Sequence, residues 1–482
     1  MNLGKVAARG TMISLGGQWT KFLIQVASIM ILARVLTPTD FGVMAMILAI
    51  VGAATVIGDF GLSLAAIQAK ELRESQRINL FWINAAIGAV LSVIVFFAAR
   101  PVANFYDQPQ LVGITQVLAV IFVLNGVAVQ LRADLTRSMR FSALALCDVL
   151  AQAVALAVSL VLAFSGYGVW ALVAQQVCIA AVTFICAAWC VRWLPGLPRR
   201  GAQMKSLLSF GGNTMATQLV NYSSANIDSV LLGRVQGAFE LGVYDRAYQL
   251  FKIPMQQMAA PMTRVALPVL MKLEDATDYM RYIVKAQKGL SYILLSLFAF
   301  AAGAADPLLY LTLGEGWDRA PEIFRLLAIG GAFQALAYVY YWIFLSTGRV
   351  DLHLRYSLFG RLVMIAAIFI GVNWGAVGTA IGSSFGFFAL WLVYSVRGVP
   401  RTGVSSSPIL KSSVRPGCAA AGLFLTLLVG GAFIPDRAPA IVELAVLLGF
   451  AISYVLLACL MVRGVRADLR ELLDVVRGAV AR

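Results

Sequence analysis

A regular series of polar residues interrupts the first apolar stretch of the chain. Ser14, Gln18, Lys21, Gln25 and Ser28 follow one another at spacings of four, three, four and three. That spacing places all five side chains on one face of an α-helix. A lysine ammonium flanked by amides and hydroxyls can bind an anion such as a phosphate, because the lysine supplies a point charge and its neighbours supply hydrogen bonds. The series therefore predicts an anion-binding helix face.

Two more polar series occur about two hundred residues later. The first consists of Asn213, Thr217, Asn221, Ser224 and Asp228, and the second of Arg246, Gln249, Lys252 and Gln256 on a slightly broader face. Uncharged members of such series also form hydrogen bonds between membrane helices, which is the alternative explanation. Because the series also carry charges, we favour a water-filled cavity lined by these helices.

The helices that carry these residues belong to a membrane protein. The chain has 482 residues, of which 60% are hydrophobic and 13% charged, and its mean hydropathy is +0.84. A soluble protein has about twice that charged fraction, and a membrane-spanning helix needs ~20 mostly apolar residues. Since open sheets cannot satisfy their backbone in lipid, we expect helices. The fourteen predicted spans are 11–36, 41–66, 78–99, 111–131, 142–164, 168–191, 206–235, 239–267, 283–304, 322–346, 352–372, 374–397, 417–434 and 440–463.

The distribution of basic residues predicts the orientation of these spans. With the N-terminus inside, 27 lysines and arginines fall in inside segments, and the outside turns hold Arg34, Arg100, Arg234, Arg319 and Arg437. Lysine and arginine collect on the cytoplasmic side, so both termini are expected to be cytoplasmic. The net charge of +15 then follows from topology, and no nucleic-acid partner is expected.

Short sequence matches at a nearly constant offset indicate a duplication. "ARVLTPTDFGV" at 33–43 matches "GRVQGAFELGV" at 233–243, and "SLGG" at 14–17 matches "SFGG" at 209–212. Six spans separate the matched segments, so the halves have the same orientation and form parallel repeats. We therefore expect an all-α polytopic fold with two six-helix lobes, 1–200 and 201–400, two further helices in 401–464, and a cytoplasmic amphipathic tail at 465–482.

Two lysines are expected near the middle of the membrane. Lys21 lies about ten residues, or ~15 Å, from the inner end of its span, and Lys252 lies about thirteen residues from the outer end of span eight. Arg246 is closer to the outside and follows Asp245, so a local ion pair or snorkelling is an alternative for it. The predicted substrate-binding set is Lys21, Lys252, Arg246, Gln18, Gln25, Gln249 and Asn221.

Several longer motifs resemble a known family. "LARVLTPTDFGVMAM", "GDFGLSLAAIQ", "GYGVWALVAQQ", "IDSVLLGRVQGAFELGVYDRAYQLFKIP" and "TRVALPVLMKLEDA" resemble the polysaccharide transporter family, within the multidrug/oligosaccharidyl-lipid/polysaccharide exporter superfamily. The resemblance covers roughly residues 10–400. It implies a flippase that moves undecaprenyl-diphosphate-linked oligosaccharides across the bacterial inner membrane for surface polysaccharide export, such as lipopolysaccharide or exopolysaccharide. It also implies a cavity lined by the first, second, seventh and eighth helices.

Three alternatives stay open at this stage. A drug/cation antiporter of the same fold is expected to place carboxylates in the cavity, and a membrane polysaccharide polymerase or ligase would need a reaction chamber on the outer face. We expect no enzyme activity, no cofactor and no metal.

The tail has two interpretations, an interfacial helix on anionic lipid or a docking site for a glycosyltransferase. A polysaccharide polymerase is a further expected partner of the protein.

The sequence contains no GxxxxGK[ST] motif, so transport is expected to run downhill or on a proton or sodium gradient. Asp228 and Asp59 are the predicted ion-coupling residues, since Asp228 ends the second polar series. The matched turns, with Arg34, Gly42, Arg234 and Gly242, are predicted to form the outer gate. The sole histidine, His353, is expected in a solvated cytoplasmic turn.

Overall fold

The computed structural model describes residues 3–68, 72–200, 204–435 and 438–480. Only the backbone is described at 3–15, 68, 206, 213, 259–261 and 472–480. The predicted roles of the Ser14 and Asn213 side chains therefore lie outside the described residues. Over the described ranges the chain forms helices and no strand. In order, the helices are α1 Leu3–Val35, α2 Pro38–Asp59, α3 Leu62–Gln68, α4 Glu74–Tyr106, α5 Leu111–Leu118, α6 Val120–Arg137, α7 Phe141–Phe164, α8 Val169–Val191, α9 Lys205–Pro254, α10 Ala260–Leu270, α11 Ala276–Gly303, α12 Ala305–Leu313, α13 Ala320–Ser346, α14 Val350–Gly371, α15 Gly375–Val393, α16 Ser407–Ala432, α17 Ala440–Met461 and α18 Arg463–Val480.

Ten segments of the described chain are long and apolar enough to cross a membrane. This confirms the all-α polytopic class. One of them, Val350–Thr402, has 53 residues and contains two helices, α14 and α15, which meet at Gly375 with a φ of 72°. Among the described residues, α1 and α9 fall outside these ten, because their polar series lower their hydropathy. The number of fourteen spans and the side on which the termini lie stay predictions.

The chain divides into two units, Met1–Gly242 and Val243–Arg482. Helix α9 crosses this division, and its backbone leaves the helical region at Gly237, with φ 85° and ψ −174°. Two helices therefore meet at Gly237, and the second of them carries Arg246, Gln249 and Lys252. The predicted boundary between the two six-helix lobes, at residue 200, does not coincide with this division at Gly242. The two lobes stay a prediction from the sequence.

The turn between α1 and α2 is built by local hydrogen bonds. Thr37 caps α2 by accepting a bond from the backbone N–H of Asp40, whose carboxylate accepts the N–H of Thr37 at 2.9 Å. Pro38 occupies the first turn, where the missing N–H costs nothing. The helix ends at Phe60 and Gly61, which both have positive φ. The sequence TPTDFG thus fixes the direction in which α2 leaves the turn.

Glycines hold α2 and α3 against the first part of α9 within the first unit. A Cβ atom added to Gly52 would lie 1.8 Å from the hydroxyl of Tyr222, which itself donates to the carbonyl oxygen of Leu48 at 2.8 Å. A Cβ on Gly61 would lie 2.7 Å from the carbonyl oxygen of Gly211. The contact positions rise along α2 and fall along α9, so the helices are antiparallel. This packing explains why residues up to 242 group with the first unit.

The glycine-rich segment "GVNWGAVGTAIG" joins α14 to α15 by close packing. A Cβ on Gly371 would lie 2.2 Å from the carbonyl oxygen of Gly378, and a Cβ on Gly378 would lie 2.1 Å from that of Gly371. These glycines therefore let the two helices approach closely, without a side chain between their backbones. The expectation for His353 is wrong, because this residue lies in α14, half-buried, with its Nδ1 3.0 Å from the hydroxyl of Tyr394. Its aromatic neighbours exclude the solvated turn that was expected.

Candidate functional site

The polar series on α1 divides into exposed and packed members. Gln18 and Gln25 are exposed and Lys21, between them, is half-buried. Ser28 is buried and accepts a hydrogen bond from Gln175 of α8 at 2.7 Å, so it joins two helices of the first unit. In the described part of the chain, no carboxylate lies within 4.0 Å of the Lys21 ammonium. The structure therefore keeps Gln18, Lys21 and Gln25 on one helix face, on which Lys21 is partly covered.

The series on the first part of α9 ends in a buried carboxylate. Asn221 is exposed, whereas Asp228 is 4% exposed and its Oδ1 accepts the backbone N–H of Ser229 at 2.8 Å. Asp59, the other predicted coupling residue, is half-buried at the end of α2. A carboxylate at such a buried position changes the local charge when it binds a proton or a cation.

Arg246 lies in a local ion pair within the second unit. Its guanidinium is 2.5 Å from the Asp245 carboxylate, and the exposed fractions of the two side chains are 10% and 17%. Gln249 donates to the same Asp245 oxygen at 3.0 Å. Two members of the predicted substrate-binding set, Arg246 and Gln249, are therefore held by one acidic neighbour. The alternative considered for Arg246, a local ion pair, is the arrangement found.

Lys252 is positioned by an aromatic series that the sequence analysis did not identify. Its ammonium lies 4.1 Å from the centroid of the Tyr248 ring. Tyr248 stacks between Tyr244 and Phe251, with ring centroids 5.5 Å apart in both pairs. The buried Tyr244 hydroxyl lies 3.1 Å from the Ser383 hydroxyl of α15. The signal was present in "YDRAYQLFK", where the aromatic residues follow at spacings of four and three along the same helix.

The backbone changes shape directly after Lys252. Pro254 lies inside the helix and is followed by a π-helical turn, Met255–Ala259. A proline cannot donate to the preceding turn, and such wide turns are frequent at functional sites. Gln256, the last member of the third polar series, is exposed on this turn. The irregular backbone therefore coincides with the end of the predicted site.

The two matched turns meet through their glycines, all within residues 1–242. A Cβ on Gly42 would lie 1.7 Å from the carbonyl oxygen of Ala238, and a Cβ on Gly242 would lie 1.8 Å from that of Pro38. The two contacts are reciprocal, as expected where two copies of one motif pack against each other. Arg34 is exposed in the last turn of α1. Arg234 is exposed and its guanidinium lies 5.8 Å from the centroid of the Phe105 ring.

The C-terminal helix α18 packs on the second unit through charged groups. Lys288 of α11 lies 2.8 Å from the buried Asp468 and 3.1 Å from Glu471, and Tyr292 donates to Asp468 at 3.1 Å. Burial opposes ionisation of Asp468, but its hydrogen bond with Lys288 and the charge of Lys288 hold the Asp468 pKa below its usual value. For residues 472–480, in the second half of the predicted amphipathic tail, the side chains are not described. Within the described part, α18 is thus held by its own chain.

Curated relatives and a family model match most of this chain. The model described as "Polysaccharide biosynthesis protein" matches residues 31–322, more than half of the chain. The teichuronic acid biosynthesis protein TuaB of Bacillus subtilis (strain 168) is 28% identical, over 76% of this chain and 77% of the relative. The lipopolysaccharide biosynthesis protein WzxC of Escherichia coli (strain K12) is 27% identical, over 80% and 78%. The succinoglycan biosynthesis transport protein ExoT of Rhizobium meliloti (strain 1021) is 25% identical, over 96% and 94%.

Solved structures show the same fold. The lipid II flippase MurJ in its inward closed conformation superposes with a TM-score of 0.70 at 11% identity, over 94% of this chain and 99% of that one. An inward-facing multidrug resistance MATE family transporter of the MOP superfamily superposes with a TM-score of 0.60 at 17% identity, over 83% and 99%. At these identities the likeness concerns the fold alone.

The matches agree with the motifs and with the apolar helices. The relatives are named for polysaccharide biosynthesis and transport, which indicates a transporter. The ten apolar segments and the Wzx-type relative indicate a multi-pass protein of the bacterial inner membrane. The resemblance to the polysaccharide transporter family is confirmed, and the chain belongs to the polysaccharide biosynthesis protein family.

Proposed function

We propose that this protein is a flippase that translocates an undecaprenyl-diphosphate-linked oligosaccharide across the inner membrane for surface polysaccharide export. The family match, the relatives named for polysaccharide transport and the fold shared with a lipid II flippase support this substrate class. An oligosaccharide on a lipid diphosphate has a hydrophilic, anionic end that needs a polar path through the membrane. Alternating access around a cationic central cavity would provide that path.

The observation that carries the proposal is the setting of Lys21. This cation lies mid-way along α1 between exposed Gln18 and Gln25, with no carboxylate within 4.0 Å in the described chain. A lysine inside a membrane span is costly unless a partner is supplied. A lysine with a purely structural role would have a carboxylate partner in the protein. The diphosphate of the substrate would be that partner during transport.

Two alternatives lead to different results in one experiment. A drug/cation antiporter has the same fold as the MATE family transporter, and its cargo is a cation. A polymerase or ligase would join repeat units on the outer face, and it would not move them across the membrane. It would therefore not replace a missing flippase. Since the proposed cargo is an anion, reversing the charge at Lys21 should stop its transport, whereas cation export would continue.

The experiment is complementation of a strain that lacks a known lipid-linked oligosaccharide flippase. We expect the intact protein to restore surface polysaccharide, and Lys21→Ala and Lys21→Glu to abolish it at unchanged protein level. Thr20→Ala is the matched control, because Thr20 is exposed one residue away and its hydroxyl bonds to the carbonyl oxygen of Gly16 in its own helix. Normal export by Lys21→Glu would contradict the proposal, and loss of accumulation in both Lys21 variants would show a structural role.

We also propose that an ion gradient drives transport, with Asp228 and Asp59 as the coupling carboxylates. Asp228 is buried, so a bound proton or sodium ion would change the charge inside the first unit. This would require no cofactor. Membrane lipids surround the protein, and a polysaccharide polymerase or glycosyltransferases are proposed partners that would supply or use the lipid-linked substrate.

A further inference from the structure

A groove opens between α14 and α15 at the end where α14 begins and α15 finishes. Its volume is about 440 Å³, and it is lined by Arg355, Tyr356, Phe359, Leu392, Val393, Val396, Arg397 and Arg401. We refer to it as the α14–α15 groove. It lies within the second unit, and none of its residues belongs to the predicted substrate-binding set. The distribution of basic residues predicts that this end of the helices lies on the cytoplasmic side.

The groove concentrates positive charge. Three of its eight lining residues are arginines, and the lining contains no carboxylate. Arg355, Arg397 and Arg401 are exposed. Three guanidinium groups around one cavity repel one another unless an anion is present between them. Phosphate is a suitable anion, since guanidinium groups bind its oxygens through paired hydrogen bonds.

One arginine is held in place by the protein. Arg401 donates a hydrogen bond to the hydroxyl of Tyr356, and its guanidinium lies 5.8 Å from the centroid of the Tyr356 ring. Tyr356 is itself 6% exposed, so its position is fixed by packing. A guanidinium that is already oriented loses less conformational entropy when a ligand binds. Arg401 is therefore the fixed member of the three.

The remaining wall of the groove is apolar and uncovered. The exposed fractions of Phe359, Leu392 and Val396 are 50%, 41% and 62%. Apolar walls next to a cluster of arginines fit a molecule that has a phosphate and a hydrocarbon chain. The lining has no amide or carboxylate to bind sugar hydroxyls, so it suits a phospholipid better than a lipid-linked oligosaccharide.

We propose that the α14–α15 groove binds the phosphate headgroup of an anionic phospholipid, with the acyl chains along Phe359, Leu392 and Val396. Basic pockets between membrane helices on the cytoplasmic side bind such headgroups. Arg355, Arg397 and the fixed Arg401 surround the phosphate. A zwitterionic lipid carries a phosphate too, but its ammonium group would be repelled by the same arginines, so the groove discriminates by net charge.

The test is native mass spectrometry of the full chain in detergent, titrated with phosphatidylglycerol or phosphatidylcholine. We expect phosphatidylglycerol to bind more tightly, and Arg355→Gln and Arg397→Gln each to weaken its binding about fivefold, as expected for loss of one basic residue at a lipid headgroup. Tyr356→Phe, which frees Arg401, should weaken binding less. Arg349→Gln is the matched control, because Arg349 is at the same end of α14, is outside the groove and faces Asp351 at 3.8 Å.

Three outcomes would overturn the proposal. Equal binding of the two lipids would show that charge is not recognised, and an equal effect of Arg349→Gln would show a general surface effect. Displacement of phosphatidylglycerol by millimolar inorganic phosphate would assign the groove to a free phosphate ion. If Arg397→Gln has a lower melting temperature without lipid, Arg397→Lys serves as the second variant, since it keeps the charge and should bind phosphatidylglycerol more tightly than Arg397→Gln does.

Discussion

The two units use their intramembrane cations differently. In the first unit, Lys21 lies between exposed amides and has no carboxylate within 4.0 Å in the described chain. In the second unit, Arg246 lies 2.5 Å from Asp245 and is 90% covered. The first unit thus carries a cation that no carboxylate of the described chain neutralises, and the second carries a cation that the protein already neutralises. Basic residues in membrane helices are therefore not equivalent, and their carboxylate neighbours indicate which ones can bind a ligand.

Substitution of Lys252 tests whether the second unit also supplies a ligand-binding cation. Loss of its ammonium should have the largest effect on surface polysaccharide export. We expect Lys252→Ala to abolish surface polysaccharide export at unchanged protein level, because the substrate anion would lose a cation near the middle of the membrane. Tyr248→Phe is the control, since it keeps the ring beneath the ammonium. Normal export by Lys252→Ala would restrict the ligand-binding role to the first unit.

A crosslink between the matched turns should block transport almost as completely. Pro38 opposes Gly242 and Gly42 opposes Ala238, so residues 40 and 240 lie between the contacting positions in the sequence, on the helix faces beside the contact. If these turns separate when the outer side opens, Asp40→Cys with Glu240→Cys should lose export when a reducible bifunctional thiol reagent joins the two cysteines, and reduction of the reagent should restore it. Each single cysteine variant is measured alone as the control. Efficient crosslinking with undiminished export would show that the turns do not form the gate.

Asp228→Asn tests the coupling role and should remove only part of the activity. Asparagine can accept the same hydrogen bond from the backbone N–H of Ser229, so the amount of protein in the membrane is measured to check that the fold is preserved. We expect the variant in liposomes to bind the lipid-linked substrate but to lose its response to an imposed proton or sodium gradient. Asp59→Asn is measured beside it, because Asp59 is the other predicted coupling residue. Gradient-driven flux equal to that of the intact protein would refute the assignment.

Arg246→Ala should reduce stability more than transport, in contrast to Lys21→Ala. The substitution leaves the mostly buried Asp245 without its cation, which typically costs about 3 kcal/mol. We expect less protein in the membrane, with activity per molecule retained. The double variant Asp245→Asn with Arg246→Gln removes both charges and should restore the amount of protein. Normal accumulation without export in the single variant would place Arg246 with Lys21 as a ligand-binding cation.

Sequence patterns predicted the parts of this molecule that depend on local spacing. The helices, the face shared by Gln18, Lys21 and Gln25, and the resemblance of two turns all follow from periodicity and repeats. Ser28 shares that periodicity, but it is buried against Gln175, 147 residues away. Spacing places a side chain on a face and does not show what covers that face. The reciprocal contacts of Gly42 and Gly242 likewise depend on long-range packing.

His353 and α18 illustrate the same limit. Near a predicted helix end, a lone histidine suggests solvent, yet its partner Tyr394 is 41 residues further along the chain. The tail was predicted as an amphipathic helix, but its spacing alone does not show what Asp468 and Glu471 contact. Their partners are on α11, more than 170 residues earlier, so only the folded chain reveals them.

Breaking the ion pairs that hold α18 should have the smallest effect on export. These pairs link helices of one unit and have no predicted role in substrate binding. The Asp468 pKa is lowered in the folded protein, so its stabilising contribution is fully present at neutral pH. It is lost only as the pH falls below the usual aspartate value of 3.8 and through the lower folded pKa.

At pH 7, Asp468→Asn should cost about 1.5 kcal/mol, the lower end for a hydrogen bond to a charged group, because Glu471 still contacts Lys288. Amide hydrogen exchange in α18 should then become about tenfold faster while export continues. Arg470→Gln, on the exposed side of the same helix, is the control. Unchanged exchange in Asp468→Asn would show that apolar contacts such as those of the buried Val465 hold the helix, and lost export would show that α18 takes part in transport.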